Sequence, residues 1–177
     1  GLIRSVIELF SNAPPPKIKL PAVMPPNKPF LTPEQIRVFV PAIYQTPFAV
    51  PALLALSSLR ASEIQALDWS NIPPNPEFIR VSGAVVPDEH HKMTRKAQNK
   101  NAASARNVPV MIPELAAALE RDRQPSGPVL LYGQNSLRRT IRKVCLANGL
   151  PDVGIHGLRH SFASLAYHLQ MPEKIAM

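Results

Sequence analysis

Between Asn12 and Pro29 the chain carries Pro14, Pro15, Pro16, Pro21, Pro25, Pro26 and Pro29, a third of its 21 prolines in a tenth of its 177 residues. Proline fixes φ and removes a backbone donor, so this stretch can be neither a helix interior nor a central strand. It reads as an extended, semi-rigid linker, with Lys17, Lys19 and Lys28 keeping it solvated, and it sets a domain boundary near Phe30. Before it, GLIRSVIELF places Leu2, Ile3, Val6, Ile7 and Phe10 at helical spacing without a capping signal, which predicts the tail of a helix belonging to a preceding domain. The chain therefore divides into residues 1–29, a helix end plus linker, and residues 30–177, one domain.

Within that domain, Thr32, Pro33 and Gln35 form a capping-box pattern with proline at the first helical position, so a helix starts at about Pro33 and Pro41 is expected to end or kink it. Apolar runs predict further helices at about Val50 to Ser58 and Ser62 to Leu67. EFIRVSGAVV, Glu77 to Val86, is rich in β-branched residues and predicts a strand, as does VPVMI, Val108 to Ile112. The polar, basic stretch between them has room for a hairpin tip and one more short strand. Helices follow at about Pro113 to Arg123, at about Ser136 to Asn148, and from Gly157 onward, with Gly149 suited to the left-handed position after a helix end. Helices wrapping a small antiparallel sheet make an α+β class.

The formal net charge of +8 and a sequence pI near 10.1 favour a polyanionic partner, of which nucleic acid is the commonest. Cys145 is the single cysteine, which excludes an intrachain disulfide, and its apolar helical neighbours make it a small core residue. No run of about 18 apolar residues and no signal peptide is present, so the expectation is a cytoplasmic protein without membrane association.

Three short stretches carry residues fit for chemistry. In IHGLRHSFA, His156 and Arg159 are three apart at a helix start, where free amides, the positive end of the dipole and a guanidinium fork suit a phosphate. By itself the stretch fits a capping histidine and a solvated arginine better. In SSLRASEIQALDW, Arg60 follows a buried run and can be held by Glu63, either at the surface or aimed into a cleft. In NKNAASARNVPVMIP, Lys100 stands on the arm of a hairpin, from which an ammonium reaches a phosphate or a leaving oxygen, although most hairpin lysines are simply solvated.

Taken in order, the three stretches resemble the catalytic domain of the tyrosine recombinases, the phage-integrase family. Leu59-Arg60-Ala61-Ser62-Glu63-Ile64 with Leu67 and Trp69 is similar to the family's first arginine box, Lys100 to Val110 to its lysine-bearing hairpin arm, and His156 to Ala163 to its second arginine box. Leu31-Thr32-Pro33-Glu34 resembles the usual start of the domain, and residues 1–29 the end of the core-binding domain and its linker. Ser58, Asn101 and Gly157 stand where the family has glycine, threonine and aspartate.

The resemblance implies a site-specific DNA recombinase or integrase of a mobile element or phage, breaking and rejoining double-stranded DNA through a 3′-phosphotyrosyl intermediate without metal or other cofactor. Arg60, Lys100, His156 and Arg159 would be catalytic, with Glu63 and His160 supporting them. Clustered cations at Arg95, Lys96, Arg106, Arg138, Arg139 and Arg142 are candidates to follow DNA phosphates, and the family acts as a tetramer of identical chains on DNA. Its nucleophilic tyrosine lies dozens of residues beyond the second box, whereas here only Tyr167 follows Arg159, two turns along the same helix. Pro172 can begin another helix, inside which the sequence stops. The expectation is a fragment without its nucleophile, inactive in cleavage.

Three alternatives stand beside this reading. One is a non-catalytic DNA-binding module using RASEIQAL and the helix with Arg138, Arg139 and Arg142. Another is a metal site at Asp88-Glu89-His90-His91, which lacks a second cluster to complete a shell. The third, a phosphomonoesterase built on the Arg-His pair, lacks its flanking glycine and further arginine.

Overall fold

In a computed structural model the chain is described at residues 29–87, 89, 93–96 and 105–168. The expected helix at Gly1 to Phe10, the linker to Lys28, Asp88, His90, His91, Lys100 and the segment from Leu169 onward lie outside the described residues.

Helix α1, Pro33–Tyr44, begins with a complete capping box: the Thr32 hydroxyl accepts from the Gln35 amide at 3.4 Å, and the Gln35 side chain accepts from the Thr32 amide at 2.9 Å. Pro41 neither ends it nor falls at its boundary. The proline is on the exposed face, where the carbonyl it leaves without a donor can be hydrated, while Ile36, Phe39, Val40 and Ile43 hold the buried face.

Helix α2, Ala49–Leu56, is buried at every residue and touches five other helices, α1, α3 (Ala61–Ala66), α4 (Pro113–Arg121), α5 (Gly133–Ala147) and α6 (Ile155–His168). An all-apolar octapeptide has no polar face to offer water, so it can only be the axis around which amphipathic helices pack. Losing Leu53 or Leu54, both fully buried, to alanine should cost about 2–5 kcal/mol each.

The single strand expected over Glu77 to Val86 is two strands, β1 (Phe78–Val81) and β2 (Ala84–Pro87), interrupted at Ser82-Gly83. Each has its own antiparallel partner. β1 pairs with β4 (Arg106–Pro109), Phe78 opposite Pro109 and Val81 opposite Arg106; β2 pairs with β3 (Met93–Lys96), Ala84 opposite Lys96. The two ladders are separate: Ala84 pairs with Lys96 on one side of Ser82-Gly83, and Val81 with Arg106 on the other. β-branched content signals strand but is blind to which partner each half takes.

α2 and α5 close alike. After α5 the Leu150 amide donates to the Cys145 carbonyl at 2.8 Å and the Gly149 amide to Leu146 at 3.3 Å, with Gly149 at φ +66°, as expected for a left-handed cap. After α2 the Leu59 amide reaches Leu54 at 3.1 Å and the Ser58 amide Ala55 at 3.2 Å, but the left-handed residue is Ser58, at φ +73°. A serine there carries strain that glycine would not.

The segment leading into α1 is fastened to α6. The Leu31 amide donates to Ser161 Oγ at 2.8 Å, and that hydroxyl donates to the Gly157 carbonyl at 2.8 Å, all buried. A Cβ on Gly157 would lie 2.8 Å from the Pro29 carbonyl oxygen and 3.0 Å from Val153 Cβ. Glycine here admits the neighbouring backbone. Among the described residues no helix is long and apolar enough to cross a membrane.

Candidate active site

The turn from α2 into α3 places Arg60 at the N-cap of α3, followed one turn later by Glu63. The Glu63 carboxylate is 2% exposed and is gripped from two sides. Locally, it accepts from the Arg60 amide at 2.7 Å and from Arg60 Nη1 at 3.0 Å. From β4, Arg106 donates through Nη1 to Oε1 at 2.8 Å and through Nη2 to Oε2 at 2.9 Å, a bidentate fork, with Nη2 also 3.5 Å from the Ser58 carbonyl. Burial pushes the Glu63 pKa up, but the hydrogen bonds from Arg106 and the Arg60 amide, with the Arg106 charge and the Arg60 side chain, outweigh it and hold the carboxyl below its ordinary value.

The third guanidinium belongs to Arg159, in the first half of α6. Its Nη1 is buried with no hydrogen-bond partner. Burial lowers its pKa, the charges of Arg60 and Arg106 lower it further, and Glu63 alone opposes them; a guanidinium remains protonated all the same. Two guanidiniums therefore hold one carboxylate, and the third, near enough to feel all three charges, has no carboxylate of its own. A half-buried cation with an unmade donor and two like-charged neighbours is an arrangement that an oxyanion would relieve.

His156 and His160 flank Arg159 on the exposed side of α6 with ring centroids 4.4 Å apart and planes at 80°, edge to face. A spacing of four residues on a helix brings the two rings together. Beside Glu63, a cavity of about 280 Å³ opens between α3 and the β1–β2 break, lined in part by Ala66, Asn71, Arg80, Ser82 and Gly83.

The remaining candidates are spread out. Arg138 and Arg139 are exposed on α5, opposite the buried Leu137, Ile141, Val144 and Cys145, and Arg142 pairs with Asp152 at 3.1 Å. Cys145 is a buried core thiol whose pKa burial raises. Arg95 and Lys96 lie in β3 opposite Val85 and Ala84, with side chains outside the description. Tyr167 is 89% exposed, Tyr44 lies under the Arg121 guanidinium at 4.4 Å, and Tyr132 packs near Phe48 at 6.1 Å. Phe48 precedes α2 and Arg60 follows it, so Tyr132 and Arg60 stand at opposite ends of a helix about 12 Å long. The bond from Arg106 to Glu63 spans 43 positions and had no signal in the sequence, where Arg106 counted among the cations for DNA.

No protein-family model and no curated protein sequence matches the chain. Solved structures do match. The Tn1549 transposon integrase in complex with transposon right end DNA superposes with a TM-score of 0.72 at 19% identity, over 98% of this chain and 65% of that one. The same integrase with a circular intermediate DNA gives 0.65 at 19% identity, over 88% and 58%. XerA recombinase gives 0.64 at 18% identity, over 89% and 56%. The fold is that of the tyrosine-recombinase catalytic domain. The chain spans less than two thirds of the length of these neighbours.

Proposed function

We propose that this chain carries the phosphate-binding part of the catalytic centre of a site-specific DNA recombinase. The observation that carries the reading is the surplus of guanidinium over carboxylate at Arg60, Arg106, Arg159 and Glu63, with a buried donor of Arg159 unmade. A phosphodiester supplies the missing acceptors and charge. Arg60 and Arg159 hold its non-bridging oxygens and offset the charge that grows there as the phosphorus becomes five-coordinate. His156 donates a further hydrogen bond, His160 braces it from the next turn, and Lys100 protonates the 5′ oxygen as the P–O5′ bond breaks. The bond that forms is between phosphorus and a tyrosine oxygen. In this reading none of Tyr44, Tyr132 and Tyr167 has that role, and the nucleophile is a tyrosine outside these 177 residues.

Supporting the reading are the fold and the order of the three sequence boxes along it. The partner is double-stranded DNA, engaged as a homo-tetramer and in the cytoplasm, and the chemistry needs no cofactor. Cleavage by the full-length protein tests it: Arg159→Ala should abolish strand cleavage while leaving duplex binding within about tenfold, and undiminished cleavage would refute it. The exposed arginines of α5 also suit a purely DNA-binding module. Lys100→Ala separates the two, since a binding module loses little by it and a recombinase loses strand transfer.

A further inference from the structure

Arg106 stands out because its guanidinium is turned onto a buried carboxylate and not toward solvent. Both its terminal nitrogens are committed to the Glu63 carboxylate, and its Nε is buried without a partner. Its side chain is 23% exposed where that of Arg60, on the same carboxylate, is 61% exposed. We propose that Arg106 is a positioning residue that acts through Glu63 on Arg60, and that it does not contact DNA. The inference rests on the recombinase reading above.

Arg106 acts on Arg60 in two ways. The first is charge. Were Arg60 and Glu63 alone, they would form a neutral pair, and a neutral pair attracts a phosphate weakly. Arg106 occupies both oxygens of Glu63, so that the positive charge of Arg60 and Arg159 remains available to an incoming anion. The second is geometry. Glu63 has three rotatable side-chain bonds, the last of which sets its carboxylate plane, and Arg60 is a long side chain on a turn. The fork from Arg106 fixes the carboxylate plane, which then fixes Arg60 Nη1 at 3.0 Å.

Arg106 is itself fixed, because it is the end of the β1–β4 ladder, opposite Val81, which is buried. It is also the first residue of β4. One side chain therefore ties β4 to the Arg60 turn.

The test is a pair of mutant cycles read in two assays: duplex DNA affinity as a function of salt for this chain, and strand cleavage by the full-length protein. Arg106→Gln should slow cleavage by about 100-fold, on the scale of one lost oxyanion donor, with an unchanged salt slope of DNA binding. In a Glu63→Gln background the same change should cost less than about threefold, because the path it acts through is already broken. Arg106→Lys, which keeps the charge without the fork, should restore the melting temperature more fully than the cleavage rate. It replaces the glutamine variant in both cycles if that variant does not fold.

A salt slope lowered by about one, together with effects of Arg106 and Glu63 that multiply, would show a direct phosphate contact and overturn the proposal. Arg60→Ala and Arg159→Ala serve as controls for the parent reading. If both retain cleavage, that reading fails and takes this one with it; if both abolish cleavage and the cycle multiplies, only the role of Arg106 falls.

Discussion

Two groups of arginines in this molecule make opposite use of the same side chain. Arg60, Arg106 and Arg159 come from three separate elements; the first two grip Glu63, which is 2% exposed, and Arg159 lies within range of their charges. Arg138, Arg139 and Arg142 come from one helix, α5, and face solvent. The first group is costly to assemble, since charges leave water and like charges meet. The second costs almost nothing, because water screens each cation over about a Debye length of 10 Å. A chain keeps the first kind of group where a ligand repays the cost, and the second suffices for general attraction to a polyanion.

That contrast sets the order of expected effects. The largest is in chemistry: Arg60→Ala or Arg159→Ala in the full-length protein should lower strand cleavage by about 10³-fold or more, the scale of a lost transition-state arginine, whereas Arg138→Ala should change the cleavage rate at saturating DNA by less than about threefold. Equal losses in both groups would erase the distinction.

Next is stability. Glu63→Ala strands Arg106 and Arg60 without their anion and should cost about 3–5 kcal/mol in urea unfolding, as for breaking a buried pair; a surface arginine of α5 should cost no more than about 0.5 kcal/mol. The same carboxylate predicts a pH dependence. Its folded pKa is depressed below the unfolded value, so its contribution is fully present above the ordinary carboxylate range and is lost as pH falls through the folded pKa. Glu63→Gln should flatten that part of the acid limb. An acid limb identical in the variant would mean that the fork does not hold the charge.

Arg159→Met should carry the opposite sign. It removes a half-buried cation with an unmade donor, so the free protein should melt at an unchanged or higher temperature while phosphate binding is lost, a trade of stability for function. A clear loss of stability would mean that Arg159 packs as part of the core.

Smaller still are the effects on α5. Arg138→Ala and Arg139→Ala should each lower the salt slope of DNA binding by about one without changing sequence preference. Arg142→Ala should do less, because that side chain is held by Asp152 at 3.1 Å.

The smallest effect is at the turn that presents Arg60. Ser58→Gly should raise stability by about 0.5–1 kcal/mol, because glycine adopts φ +73° without strain. If the variant is less stable instead, the buried serine is held by more than its backbone.

Much of this site was legible one element at a time. The capping box at Thr32 and Gln35, the left-handed Gly149, the core face of α5 and the pairing of Arg60 with Glu63 all follow from spacings of three or four residues, which local hydrogen-bond geometry reads directly. Pro41 does not end its helix because a proline's cost depends on whether its face is solvated, and EFIRVSGAVV misled because a strand signal does not name a partner.

What the sequence determined by itself is the class: helices around a small antiparallel sheet, a basic surface, and the residues from which a phosphate site could be made. The tertiary structure decided which of those residues meet. Arg106 reaches Glu63 across 43 positions, Leu31 reaches Ser161 across 130, and Gly157 is small because the Pro29 carbonyl passes over it. Such choices depend on distances between elements, and those are fixed only when the helices have packed around α2 and the burial of its apolar residues has set where each neighbouring side chain can reach.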